Sequence, residues 1–184
     1  KWGNEPFRIG LWVGMRSTPN WNSESAEIIA EYRKTGYFRS TSTGGQGTPH
    51  QLTNCPWCGT EINPGRDIVV ETFKRGRCRT LVYCPSHTCD FNQKNAKGEG
   101  LPILVVDEEV YRRLPSLLIA TVDKFAQMPW KGAAQMLFGR VNGVCSRHGY
   151  RSPDIEDTNS HPADKISGLP AANTEPIGWL RPPD

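Results

Sequence analysis

Two short cysteine turns constrain this chain more than anything else in it. Cys55-Pro56-Trp57-Cys58-Gly59 places two residues between its thiols, and Cys84-Pro85-Ser86-His87-Thr88-Cys89 places four. A Cys-x-x-Cys turn followed by glycine lets both sulfurs point at one centre, and a second turn completes a tetrahedron of thiolates. Between the turns, residues 67–73 and 79–83 are rich in β-branched side chains and are joined by the basic stretch 74–78. Cysteine turns bracketing a hairpin describe a zinc ribbon, with Cys55, Cys58, Cys84 and Cys89 as the ligands of one Zn2+. His87 is an alternative to Cys89, and Cys78 to Cys84; Cys78 is read as a spare because it sits in the turn between the strands. A disulfide scaffold would carry more cysteine behind a secretory leader. A thioredoxin-like turn would run straight into a helix, which Asn63-Pro64-Gly65 opposes.

The rest of the composition is lean. Of 184 residues 36% are hydrophobic, with 18 Gly and 15 Pro, so the chain is rich in loops and reads as a piece of something larger, the metal replacing buried area locally. A net charge of +3 does not announce nucleic-acid binding. Its distribution says more: Lys74, Arg75, Arg77 and Arg79 crowd the hairpin, predicting a positive tip that is either solvated or in contact with phosphates. No apolar run approaches a membrane span. Thiols kept as metal ligands point to a reducing, cytoplasmic setting.

Along the chain, residues 7–14 predict a buried strand. A helix follows, capped by Asn22 or Ser23, with Glu24 and Glu27 at its positive end, Ile28, Ile29 and Tyr32 facing inward, and Gly36 ending it. Residues 40–47 are a Ser/Gly-rich linker into the ribbon. Residues 101–107 and 116–121 predict two further buried strands, with at most a short helix between them stopped by Pro115. Residues 131–138 predict a short amphipathic helix closed by Gly139. From 140 to 184 no period persists, because prolines interrupt every candidate, so an irregular segment is expected. Strand, loop, helix is the unit of an α/β sheet.

Two further sites invite chemistry. Residues 103–108, Ile-Leu-Val-Val-Asp-Glu, spell a Walker B pattern, in which Asp holds magnesium and Glu orients water. A nucleotide site also needs a Gly-rich loop ending in Gly-Lys-Ser/Thr, and the chain contains no Gly-Lys dipeptide. Asp107-Glu108 therefore reads as a strand end and helix start. Cys145-Ser146-Arg147-His148 is a Cys-x-x-His with Asp154 and His161 downstream. As a second metal site it lacks a clear fourth ligand; as a Cys/His catalytic pair it has the residue types; as plain structure it is a polar loop with a partly buried thiol. Arg147, Tyr150 and Arg151 beside it have the chemistry to touch phosphates and stack on bases.

Several of these stretches together resemble a known family. Residues 8–20, with Ile-Gly-Leu-Trp-Val-Gly and Thr-Pro-Asn, residues 114–126, the Arg147-His148-Gly149-Tyr150-Arg151 run and residues 179–184 are similar to the first motor domain of the DrmA-type helicases of DISARM anti-phage systems, which are superfamily-two proteins. The resemblance covers most of the chain, and its most specific part is Thr121 to Ala126. It implies a partial RecA-like α/β motor domain with an inserted β-rich zinc ribbon: RecA-like segments at 1–39 and 101–139, linker and ribbon at 40–100, and an irregular insertion at 140–184. It implies that Thr121 grips the nucleic-acid backbone, with Lys124 as a second contact; a strand end opening a helix also offers N–H groups and a hydroxyl to a phosphate. In the family the phosphate-binding loop would precede Lys1 and the Asp-Glu-x-His box would follow Asp184. ATP and Mg2+ then belong to the complete parent, and the expected partners are a DNA or RNA backbone (DNA preferred), the remaining motor domains and other defence-system proteins. The expected function is that of a nucleic-acid-binding fragment, inactive alone. Two readings stay open beside it: a free-standing zinc-ribbon adaptor for proteins, and a cysteine-dependent enzyme using Cys145 and His148.

Overall fold

Residues 7–39, 47–96, 98–155 and 157–180 are described by a computed structural model of the chain; most of the linker read at 40–47, and the end of the closing motif at 181–184, lie outside them. Among the described residues the fold is mixed α/β with three small sheets. It opens with β1 (Ile9–Trp12) and α1 (Asn22–Thr35). Trp21, not Asn22 or Ser23, takes the N-cap position of α1. Glu24 reaches back to accept from the N–H groups of Asn20 (2.9 Å) and Trp21 (3.3 Å). Asn22 is thereby released to face inward, where its amide donates to the Cys78 carbonyl at 3.2 Å. Gly36, at φ 79°, closes the helix and donates its N–H to Tyr32 O.

The ribbon follows. One helical turn, α2 (Pro64–Asp67), forms where Asn63-Pro64-Gly65 had argued against a helix. Proline is tolerated at the first helical position, and the Asn63 side chain caps the turn by accepting from the N–H groups of Gly65 and Arg66. The antiparallel strands β2 (Ile68–Thr72) and β3 (Arg75–Val82) come next. β3 starts earlier than the side-chain pattern predicts, because a bulge with Cys78 at φ 55° absorbs the basic stretch into the strand. The expected positive tip is corrected accordingly. Lys74 and Arg75 are exposed, but Arg77 pairs with Glu71 at 3.0 Å and Arg79 is buried.

The chain then returns as β4 (Ile103–Leu104), α3 (Asp107–Arg113), β5 (Leu117–Ala120) and α4 (Val122–Gln127). β4, β1 and β5 form a parallel sheet in that order, with Ile9 in register with Ile103 and Leu117, and Gly10 with Leu104 and Leu118. Partners in register share a face. Gly10, Trp12, Leu104, Leu118 and Ala120 therefore point to one side, where Trp12 and Leu104 join Val110, Tyr111 and Met136 in the first core cluster. Ile9, Leu11, Leu117 and Ile119 point to the other. The expectation that 116–121 is a buried strand fails here: Leu117 and Ile119 are 52% and 53% exposed. β5 lies at the sheet edge, and no described element covers that face of it.

Residues 131–138 form a 3-10 helix, Gly132–Phe138, instead of an α-helix. The segment expected to be irregular instead carries β6 (Gly143–Cys145), β7 (Gly149–Arg151), β8 (Ser160–His161) and β9 (Ala172–Pro176), an antiparallel sheet in the order β7-β6-β9-β8. Strands of two to five residues leave no periodic signature. Among the described residues no helix is long and apolar enough to cross a membrane.

The ribbon and α3 are joined by buried charge. Arg79 Nε donates to Glu109 Oε2 at 3.0 Å, and the Thr80 N–H donates to the other oxygen of the same carboxylate; both side chains are almost fully buried. Arg79→Ala strips the buried Glu109 carboxyl, whose pKa burial already raises, of its cation, at a cost of about 3–5 kcal/mol. The melting temperature is expected to fall by roughly 6–20 °C, whereas Lys74→Ala should stay within about 0.5 kcal/mol of the parent. Equal, small effects would return Arg79 to the surface role its sequence suggests.

Candidate metal centre and basic surface

The four ribbon thiols converge. Cys55, Cys58, Cys84 and Cys89 have sulfur atoms within 4.8 Å of one another, with Cys55 to Cys89 at 3.9 Å and Cys58 to Cys84 at 3.4 Å. A tetrahedral ion with Zn–S bonds near 2.3 Å spaces its sulfurs by about 3.8 Å, so the donor set fits a thiolate-bound divalent ion. All six cysteines are free thiols. The first turn is locked by Gly59, at φ 78°, whose N–H donates to Cys55 O at 2.8 Å. Asn92 and Asn95 donate their side-chain amides to the carbonyls of Cys84 and Cys89, fixing the second. Cys58 is the exposed member, and its pKa is lowered to about 6, first by the side-chain hydrogen bond with Thr60 and also by that residue's backbone. Burial pushes Cys84 up to about 12. Cys78, weighed as a substitute for Cys84, lies elsewhere: its buried thiol donates to Glu108 Oε1 at 3.1 Å.

The Walker-like pair is tied down. Asp107 begins α3, holds the Lys124 ammonium in a short ion pair, and has Lys131 Nζ 3.6 Å away. Glu108 accepts from the backbone and side-chain N–H groups of Asn22 and is bridged by Arg112 at 3.4 Å. Both carboxylates serve the interior. Lys124, expected to reach nucleic acid, is thus turned inward onto Asp107, as Arg79 is onto Glu109. Thr121 is exposed at the N-cap of α4, and its hydroxyl makes no capping bond. Arg147, expected beside phosphates, is buried and donates to the carbonyls of Pro162 and Pro170 at 2.8 Å each. Arg151 donates to Asn159.

A second group gathers in the C-terminal sheet. Cys145, His148 and His161, all buried, have ligand atoms within 4.8 Å of one another. Asp154, the acid noted in the sequence, is not among them. The sequence reading passed over Asp157, four residues before His161 and with a fully buried side chain. Burial alone would raise the Asp157 pKa, but His148 and Arg112 outweigh it and hold the carboxyl below its usual range. Burial, helped by neighbouring positive charge, lowers His161.

Three of the ribbon thiols, Cys55, Cys84 and Cys89, share a core cluster with Ile29, Ile62, Ile68, Val82 and Leu101, and Cys58 is exposed. Removing a bound ion therefore loosens packing beyond the ligands. Cys84→Ser is expected to release one ion per chain, that of the ribbon, and cost about 3 kcal/mol, roughly 6–12 °C in Tm. Unchanged metal content and Tm in Cys84→Ser would show that these thiols hold no structural ion.

No protein-family profile matches the chain. Over 179 residues it is 32% identical to DISARM protein DrmA from Bacillus paralicheniformis, a similarity covering 90% of this chain and 14% of that protein. The resemblance read in the sequence is borne out by this relative, and the chain spans a small part of its length.

Proposed function

From this kinship with a segment of DISARM protein DrmA, we propose that the chain is a nucleic-acid-binding portion of an ATP-dependent helicase or translocase of anti-phage defence. Residues 1–39 and 101–139 are its RecA-like segments, 40–100 carries a zinc ribbon, and 140–184 is an insertion built on a small sheet. The observation that carries this reading is the parallel sheet β4-β1-β5, which brings strands from the first and third of these segments side by side across the ribbon. Parallel sheets are normally covered on both faces. The exposed face of Leu117 and Ile119 suits a larger α/β domain, and the remaining motor parts are the partner it calls for. The absence of any Gly-Lys dipeptide removes a means of holding the nucleotide phosphates, so ATP and Mg2+ belong to the parent and turnover by this chain alone is not expected.

The metal of the ribbon is zinc in this proposal, held by Cys55, Cys58, Cys84 and Cys89. Backbone contacts fall to Thr121, with its exposed hydroxyl, and to the exposed Lys74 and Arg75. Lys124, Arg77 and Arg79 contribute only where they leave their carboxylates. The adaptor reading is weakened by the depth at which β3 is fused to α3, and a cysteine enzyme by the burial of Cys145 at 1% exposure.

Affinity for a single-stranded oligonucleotide should fall steeply with salt. Removing Lys74 or Arg75 is expected to flatten the slope of log affinity against log salt by about 0.7–0.9 each. Thr121→Ala should weaken binding roughly tenfold, the scale of one hydrogen bond to a charged group, with Tm unchanged. Binding that is absent or indifferent to salt would favour the protein adaptor; a lower Tm with normal affinity would make Thr121 plain architecture.

A further inference from the structure

The group in the C-terminal sheet repeats the construction of the ribbon's first turn. Cys145-Ser146-Arg147-His148-Gly149 has the spacing of Cys55-Pro56-Trp57-Cys58-Gly59, and in each the glycine after the second ligand has a positive φ, 78° at Gly59 and 94° at Gly149. Gly149 is required for a second reason: a Cβ there would lie 2.3 Å from the Arg112 carbonyl oxygen. Cys145 ends β6 and pairs in register with Gly149, so the turn is held by its own hairpin. β6 pairs with β9, and β9 with β8, whose His161 completes the group from two strands away.

The two histidines are dressed as ligands. His148 is fully buried, and among the described residues its ring nitrogens and His161 Nε2 make no hydrogen bond of good geometry, the Asp157 carboxylate being the charge they face. Such groups are costly to bury unless something occupies their lone pairs. Thr158 fixes the tautomer of His161: its hydroxyl donates to Ser160 O and accepts from His161 Nδ1 at 3.2 Å, leaving the lone pair on Nε2, facing the group. Asp157 Oδ1 lies 3.3 Å from His161 Nε2 and 3.6 Å from His148 Nδ1. The other oxygen, Oδ2, is held by Arg112 Nη1 at 3.1 Å, which keeps the carboxylate charge beside the two imidazoles. Phe73, from the ribbon hairpin, stacks on His148 with centroids 4.3 Å apart and meets His161 edge-on, closing the group off with an apolar lid.

We propose that Cys145, His148 and His161 form a second metal site for a divalent ion of the zinc type, with the Asp157 carboxylate beside the two imidazoles as an outer negative charge. Imidazole with thiolate selects zinc over calcium or magnesium. Three buried protein ligands under an aromatic ring make the site structural: it ties the Cys145–Gly149 turn to β8.

The test counts ions in the purified protein. Elemental analysis of Cys145→Ser and His161→Ala, each checked for native circular dichroism, is expected to show one ion per chain fewer than the parent. Cys84→Ser should lose a different one, and the double variant Cys84→Ser/Cys145→Ser should lose two. Cadmium-113 NMR of the unsubstituted protein reads the same question without any variant, so a misfolded mutant leaves the answer intact. Two resonances, one in the all-thiolate region and one shifted as imidazole nitrogen ligands beside a single thiolate require, support the site. A single all-thiolate resonance, or Cys145→Ser and His161→Ala with full metal content, overturns it. Loss of the ribbon ion alone would leave this site's resonance in place, so failure at either centre is told apart from failure at the other.

Discussion

A carboxylate buried at the meeting of two segments holds this chain together. Glu109, on α3, receives the Arg79 guanidinium and the Thr80 N–H of β3, while its neighbour Glu108 binds Asn22 of α1 and the Cys78 thiol. Taking such charges out of water is expensive unless every partner is in place. The arrangement therefore tolerates one register of the hairpin against α3: a slip of one residue would carry Arg79 to the opposite face and leave the acid alone. The bulge around Cys78 serves the same end, turning its thiol and the guanidinium after it toward α3. The ribbon is thus seated by charge, whereas around Trp12 the elements are seated by apolar area.

That difference separates the two sides of the parallel sheet. Trp12, fully buried, donates from its indole to Tyr111 Oη at 2.9 Å and meets Phe125 edge-on, so one face is sealed by aromatic packing and a satisfied polar handle. The opposite face ends in aliphatic side chains with nothing described above them at Leu117 and Ile119. Kinship to a segment of a much longer protein supplies a reason for such asymmetry, because a surface that looks unfinished in isolation is an ordinary interior when neighbouring segments are added.

How legible this was in the sequence varied with the range of the forces involved. The cysteine turns were readable because ligand geometry is local and glycine marks its closure. α1 was readable from its period and its closing glycine, but its first residue was misplaced, since Asn22 answers to Cys78 and Glu108, far along the chain, and not to its own helix. The basic hairpin looked like a surface patch, and Lys124 like a nucleic-acid contact, because only the folded structure brings Glu71, Glu109 and Asp107 against Arg77, Arg79 and Lys124. β5 looked buried because apolar content does not say which face finds a partner. The C-terminal sheet was hidden for a simpler reason: strands such as β8, two residues long, show no alternation, and Asp157 became visible only when β8 and β9 brought His161 toward Cys145.

The connectivity of the parallel sheet also dictates an order of events during synthesis. β1 emerges first, yet both its partners lie beyond residue 100, so at 5–20 residues per second it waits several seconds with an apolar edge unpaired. The ribbon lies wholly within that interval. If its thiols close on an ion, as proposed above, the excursion between β1 and β4 becomes a folded body whose two ends are near each other, and the entropy of closing the sheet is reduced before β4 appears. On that proposal the ribbon is a splint for strand pairing, and scarcity of metal in the growing cell would be felt first as slow, aggregation-prone assembly of a sheet that itself binds none.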